Sequence, residues 1–212
     1  MTAGRAAAPR GRAGAQLGAA DCLHYGLADR VCESGGLDAV LAALAAVAWS
    51  GDPGHHAGQV DAVLDACAAP IPAAGPLQRH ADRIGLVCGR ADFLAIAAGI
   101  AGWQADPDPW LARAAATFLA GSPGSARLSH TLLGHARHQS LAQVFRMEFT
   151  ATLHCCAGPD FREGIRALLI DKDKSPRWHP ATHAQATAGW AQQFLAPVGP
   201  QGTPHPLADL GP

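Results

Sequence analysis

The chain has 212 residues, 49% of them hydrophobic, and a net charge of -1. That length can bury a sizeable core as one domain with tails, while the near-neutral charge excludes a partner recognised by bulk electrostatics, such as nucleic acid or an anionic membrane. No apolar run approaches the roughly 20 residues needed to cross a bilayer, and an Ala-rich text with only 6% aromatics predicts helix, because Ala loses no side-chain entropy there.

Residues 1–18 read as a leader. They hold Arg5, Arg10 and Arg12 and no acid before Asp21, as a mitochondrial targeting segment would, but no Ser and several glycines. The expectation is a disordered or mistranslated leader on a cytoplasmic protein of bacterial type. Six cysteines, at 22, 32, 67, 88, 155 and 156, form no C-x-x-C pair and predict reduced thiols.

From Asp21 to Cys32 the text DCLHYGLADRVC is broken by Gly26. Leu27–Cys32 is the one strand expected. Ser34 is set to cap a helix over 37–49, where Leu37, Val40, Leu41, Leu44 and Val47 recur at helical spacing. Further helices follow at 57–68, 77–84 and 93–103, the last capped by Asp92. Asp108-Pro109 and Ser122-Pro123 each place a cap before a proline at the first helical position, where a missing N–H costs nothing. They predict helices to Ala120 and Ala136.

Ser140 opens a longer helix whose Leu141, Val144, Phe145, Glu148, Thr152 and Cys155 follow the i, i+3, i+4, i+7 rhythm. Asp160 with Glu163 three residues on predicts a capping box for 161–170. A last helix is expected at 184–195, and 197–212 is expected as a flexible tail. No period of 20–50 residues repeats, which excludes a solenoid.

Few residues invite chemistry. No G-x-S-x-G elbow frames a serine. Glu148 is the best lone carboxylate, and pairing with Arg146 or Arg166 accounts for it. His135 and His138 share a helix face without a third ligand of suitable spacing, and Pro180 separates His179 from His183. No metal site is expected.

The run DFREGIRALLIDKDKSPRWHP, residues 160–180, is more particular. The chain has fourteen Arg but two Lys, and both, Lys172 and Lys174, fall in this run. In order and spacing it resembles the C-terminal signature of the 3-hydroxyisobutyryl-CoA hydrolases, a branch of the crotonase superfamily. AGAQLGAADCLHYGLADRV (13–31) looks like the segment following that family's catalytic core, and SLAQVFRMEF (140–149) like its Arg-Met-Glu-aromatic helix. The resemblance covers about residues 13–196, whereas MTAGRAAAPRGR matches nothing in the family.

The resemblance implies a mainly α fold, the C-terminal helical portion of a crotonase-type fold with at most one short strand. A leader (1–18), a helical region (19–196) and a tail (197–212) divide the chain. It implies hydrolysis of 3-hydroxyisobutyryl-CoA in valine breakdown, with CoA as part of the substrate and no separate cofactor. The family's catalytic Glu and Asp and its oxyanion-hole segment lie ahead of the matched stretch, so no catalytic residue is carried over and a truncated chain, inactive alone, is expected. Lys172, Lys174 and Arg177 are the expected CoA-phosphate contacts. Trp178, between Pro176 and Pro180, reads as a packing anchor rather than an adenine platform. The implied partners are an acyl-CoA and either a separate crotonase core or further copies of the chain. Two other readings stand beside this one: a non-catalytic helical module docking on such a core, and an enoyl-CoA hydratase or isomerase.

Overall fold

The structure, a computed structural model, describes residues 15–70, 73–200, 202 and 204–211. The leader expected over 1–18 falls largely outside them. Two compact units divide the described chain, one over residues 16–81 and one from 82 onward.

The first unit is held by a buried carboxylate. Helix α1 (Ala19–His24) carries Asp21, which is fully buried. Its Oδ2 accepts from Leu77 N at 3.1 Å and its Oδ1 from Gln78 N at 2.9 Å. These N–H groups open the short helix α4 (Pro76–Arg79), whose own N-cap residue, Gly75, has no side chain. Asp21 therefore supplies, from 56 residues away, the oxygen a helix start lacks. A Cβ at Gly75 would overlap that carboxylate.

Between these helices lie α2 (Leu37–Ala45) and α3 (His56–Ala66). Helix α2 starts after Gly36 with no side-chain cap, so Ser34 does not serve as one, and it ends four residues before the predicted 49. Arg30 ties the loop before α2 to α3 through Asp61 and Asp65, at 3.0 and 2.6 Å.

The strand expected at Leu27–Cys32 does not form. Gly26 takes φ +65, and the N–H groups of Leu27 and Ala28 fold back on the Cys22 carbonyl. What remains is one antiparallel bridge, Cys32 with Ala68, beside a 2.7 Å bond from Ala69 N to Val31 O.

The second unit is a run of capped helices. Helix α5 (Ala81–Cys88) leads in, and Asp92 caps α6 (Phe93–Ala101) through Leu94 N and Ala95 N. Phe93, Ile96, Ala97 and Ile100 are buried. Asp108 caps α7 (Pro109–Ala120), whose Leu111, Ala114, Ala115 and Phe118 bury the i, i+3, i+4, i+7 stripe. Helix α8 (Pro123–Ala136) starts under Ser122, and α9 (Leu141–Ala157) under a full capping box of Ser140 and Gln143.

Helix α10 (Pro159–Ile165) continues into a π-helical turn, Arg166–Ile170, where a straight helix to 170 was expected. The final helix is shorter than the expected 184–195. Thr187 caps α11 (Ala188–Gln192), and a 3-10 turn covers Gln193–Leu195.

The stripe read on helix α9 is unevenly covered: Leu141 is 72% exposed and Phe145 is also exposed, Val144 and Cys155 are half-buried, and the residues the helix buries are Ala142 and Ala151. Arg146 leaves the same helix to donate to the carbonyls of Leu207, Ala208 and Gly211. The end of the segment expected as a flexible tail is thereby docked.

Removing the Asp21 carboxylate leaves two N–H groups of α4 without their acceptor. Asp21→Ala should lower stability by about 2 kcal/mol, read as a shifted urea midpoint, and Asp21→Asn should recover part of that loss.

Candidate functional site

Three helix ends and the body of a fourth helix meet in the second unit. The C-terminus of α7 and the start of α8 (Ala120–Ser125) face the C-terminus of α9 (Cys155–Gly158) and the body of α10. Glycines turn the chain at both junctions, at 121 and 158. The space they enclose is a cavity of about 700 Å³. Phe161, Leu168, Trp178, Trp190 and Phe194 give it an aromatic and aliphatic wall. Trp190 and Phe194 pack with ring centres 4.6 Å apart.

Asp160 stands at this meeting point. Sequence spacing predicts it as a helix cap, but α10 begins at Pro159 and the carboxylate serves another purpose. Its Oδ2 accepts from Ser122 Oγ at 2.6 Å and its Oδ1 from His179 N at 2.7 Å. One side chain thus joins the start of α8 to the loop after the π-helical turn. Trp178 anchors the same loop, donating from Nε1 to Ala120 O at 3.0 Å. Its ring also lies against Gly164, where a Cβ would come to 3.4 Å.

Arg166 organises the turn itself. Its guanidinium forms a two-pronged pair with Glu163, at 2.9 and 2.8 Å. It also reaches Asp171 at 2.6 Å, Asp173 at 2.7 Å and the Ser175 carbonyl at 3.2 Å. Glu163 Oε1 accepts in addition from Arg177 N at 2.7 Å. The Arg166 side chain, followed by the Arg177 backbone N–H, holds the Glu163 carboxyl down to about 2. The three carboxylates push the Arg166 pKa up, Glu163 foremost.

This network decides where the expected CoA contacts stand. Asp171 and Asp173, the acids adjoining the lysines, turn to Arg166. Lys172 and Lys174 take left-handed backbone angles, φ 56 and 53, and are exposed. Neither ammonium has a hydrogen bond or ion pair among the described residues. Lys174 lines the cavity, and its N–H is fixed to Ala167 O at 3.0 Å. Arg177 is exposed and pinned through its backbone. The three cations expected to meet phosphate thus share one loop, held at the Lys174 and Arg177 N–H groups.

Glu148 is exposed on α9 and pairs with neither expected arginine, since Arg146 holds the C-terminal carbonyls and Arg166 the three acids. His183 stacks on Phe118 with ring centres 4.8 Å apart and an interplanar angle of 1°. Burial pushes its pKa down. No group of three or more His, Cys, Asp or Glu side chains is arranged to hold a metal ion among the described residues.

The cavity itself was not read from sequence. Trp190 and Phe194 come from a segment expected as one regular helix, and no local pattern joins them to Leu128 on α8. Asp160 left a clue, an acid three residues before Glu163, but the cap signature points to a different role.

Comparison with known proteins places this geometry. The family model for enoyl-CoA hydratase/isomerase matches residues 4–195. Its match begins within the first twelve residues, where the sequence reading found no resemblance. The chain is 39% identical over 90 residues to the mitochondrial 3-hydroxyisobutyryl-CoA hydrolase of Danio rerio, covering 42% of this chain and 22% of that protein. Against the same-named protein of Gallus gallus it is 41% identical over 78 residues, 37% of this chain and 20% of the relative. A crystal structure of a carnitinyl-CoA dehydratase from Mycobacterium thermoresistibile is similar with a TM-score of 0.71 and 26% identity, over 95% of this chain and 56% of that one. The matched part spans about a fifth of the curated relatives' length.

The mainly helical, crotonase-type fold and the resemblance read from residues 160–180 are as expected. The cytoplasmic, bacterial-type location is not: the curated relatives it matches are named as mitochondrial proteins.

Glu163 links this site to pH. Because its folded pKa lies below the ordinary 4.5, the stability it contributes is complete above that value and is lost as pH falls toward about 2. Urea midpoints measured from pH 7 down to pH 3 should fall most steeply below about 4.5. Glu163→Gln should start lower at neutral pH and lose part of that acid-dependent fall.

Proposed function

The chain belongs to the enoyl-CoA hydratase/isomerase family, and on that premise we propose that it serves acyl-CoA thioester hydrolysis, with 3-hydroxyisobutyryl-CoA as substrate. Its share of the work is to hold the substrate rather than to cleave it. Cleavage needs paired N–H donors for the developing oxyanion and a base or nucleophile against the same carbonyl. No such constellation stands out among the described residues, and in this reading the catalytic carboxylate comes from another stretch of polypeptide and the chain is inactive alone.

The observation that carries the proposal is the Arg166 network. Four ionisable groups stand in the order Asp-Lys-Asp-Lys, and Arg166 takes both acids. That leaves Lys172 and Lys174 as cations on a backbone already fixed, with Arg177 three residues on. Phosphate oxygens on CoA suit such a loop, since a charge-assisted contact to a pre-ordered cation loses little side-chain freedom. The similarity to 3-hydroxyisobutyryl-CoA hydrolases supports the choice of substrate.

A second reading is a non-catalytic helical module that docks on a separate crotonase core. The exposed apolar side chains of α9, Leu141 and Phe145, favour it.

Release of free CoA from 3-hydroxyisobutyryl-CoA tests both. The purified chain should show no turnover alone and should gain it when co-expressed with the N-terminal part of a family enzyme. In that complex, Lys172→Gln with Lys174→Gln should raise KM roughly tenfold with little change in kcat. Saturable turnover by the chain alone would refute the division of labour, and silence in both preparations would favour the docking module.

A further inference from the structure

The cavity between α7, α8, α9 and α10 is not explained by phosphate contacts on the neighbouring loop. Its size, about 700 Å³, falls in the range of sites that enclose small molecules, roughly 300–1,000 Å³. Its wall is apolar: Leu128, Phe161, Leu168, Trp178, Trp190 and Phe194 contribute.

Among the polar groups that line it, Asp160 accepts from Ser122 and His179, and Trp178 donates to Ala120. The side chains of Ser125, Cys155 and His179 line it too, but they are few against the apolar wall, and burying the groups of a sugar or a nucleobase unpaired is costly. Lys174 differs from these. It lines the cavity, its backbone is pinned to Ala167, and its ammonium has no partner among the described residues. An apolar chamber with one unpaired cation selects a molecule with the opposite pairing of features.

We propose that this cavity binds an anionic amphiphile, a hydrocarbon chain ending in a carboxylate, with the chain among Trp178, Trp190 and Phe194 and the carboxylate at the Lys174 ammonium. Asp160 also lines the cavity, with its two oxygens turned to Ser122 and His179, which leaves the Lys174 ammonium as the group for the ligand's carboxylate. The proposal shares the Lys174 ammonium with the acyl-CoA reading but not its ligand: a free carboxylate carries neither thioester nor nucleotide, so decanoate binding can fail while acyl-CoA turnover stands, and the reverse.

The test is calorimetric titration of the full chain with decanoate, and in parallel with decanol and decyltrimethylammonium. Decanoate should bind saturably, one molecule per chain, and quench tryptophan fluorescence. Lys174→Gln should weaken decanoate about tenfold while leaving decanol within about twofold, and Lys174→Arg should restore decanoate binding. Gly164→Leu, which puts a side chain against Trp178 on the cavity wall, should weaken both decanoate and decanol.

Non-saturable uptake, equal affinity for the cationic amphiphile, or decanoate binding indifferent to Lys174→Gln would overturn the proposal. Should Gly164→Leu fail to fold, by circular dichroism, the Lys174 pair decides alone, because both substitutions keep a polar side chain at an exposed position.

Discussion

One guanidinium, that of Arg166, closes the turn on which the candidate site is built. A regular helix would carry the chain on past Ile170. Instead the ladder loosens into a π-helical turn, and the next eight residues double back to pack Trp178 beneath the end of α7. Reversing the chain this sharply exposes carbonyls and brings three acids close together. Arg166 answers both problems, because its planar fork can hold Glu163 with two nitrogens while still reaching Asp171, Asp173 and the Ser175 carbonyl. A lysine, a single point charge on a flexible stem, could not span that set. Glu163 then passes the constraint on by accepting from Arg177 N, and Asp160 finishes it at His179.

The two units solve the same problem by similar means. In each, an acidic side chain from one helix satisfies backbone N–H groups that belong to a distant segment. Asp21 does so for α4 in the first unit, and Asp160 and Glu163 for the loop after the turn in the second. With few large apolar side chains available, such charge-assisted bonds help decide which helix ends meet. Aliphatic packing is concentrated instead on α6 and α7, where Phe93, Ile96, Ile100 and Leu111 are almost wholly buried.

How much of this was legible in the sequence depends on how local the cause is. Caps at Asp92, Asp108, Ser122 and Ser140 were readable because a short polar side chain bonds an N–H two or three residues on, within the window that a motif spans. The Asp160 cap was misread for the complementary reason: the acid stood in the right local frame, but donors 19 and 38 residues away competed for it and won. The strand at 27–32 failed likewise, since β-like residues need a partner strand and found one bridge residue, Ala68. On α9 the periodicity was real, but spacing defines a stripe without saying what covers it, and Leu141 and Phe145 stay exposed. The cations of the 172–177 loop were legible from composition. The cavity beside them was not, as its walls come from segments more than 60 residues apart in the chain.

The alternation in Asp171-Lys172-Asp173-Lys174 has a consequence for which changes the loop can absorb. Every second residue faces the guanidinium, and the two between occupy left-handed angles that side chains other than glycine adopt only with local support. Such a segment behaves like a two-phase code. Replacing a lysine alters one letter and leaves the frame intact. Losing or gaining a single residue exchanges the phases, turning lysines toward the guanidinium and displaying aspartates to solvent, so the sign of the presented charge depends on the count of residues in the loop as much as on their identity.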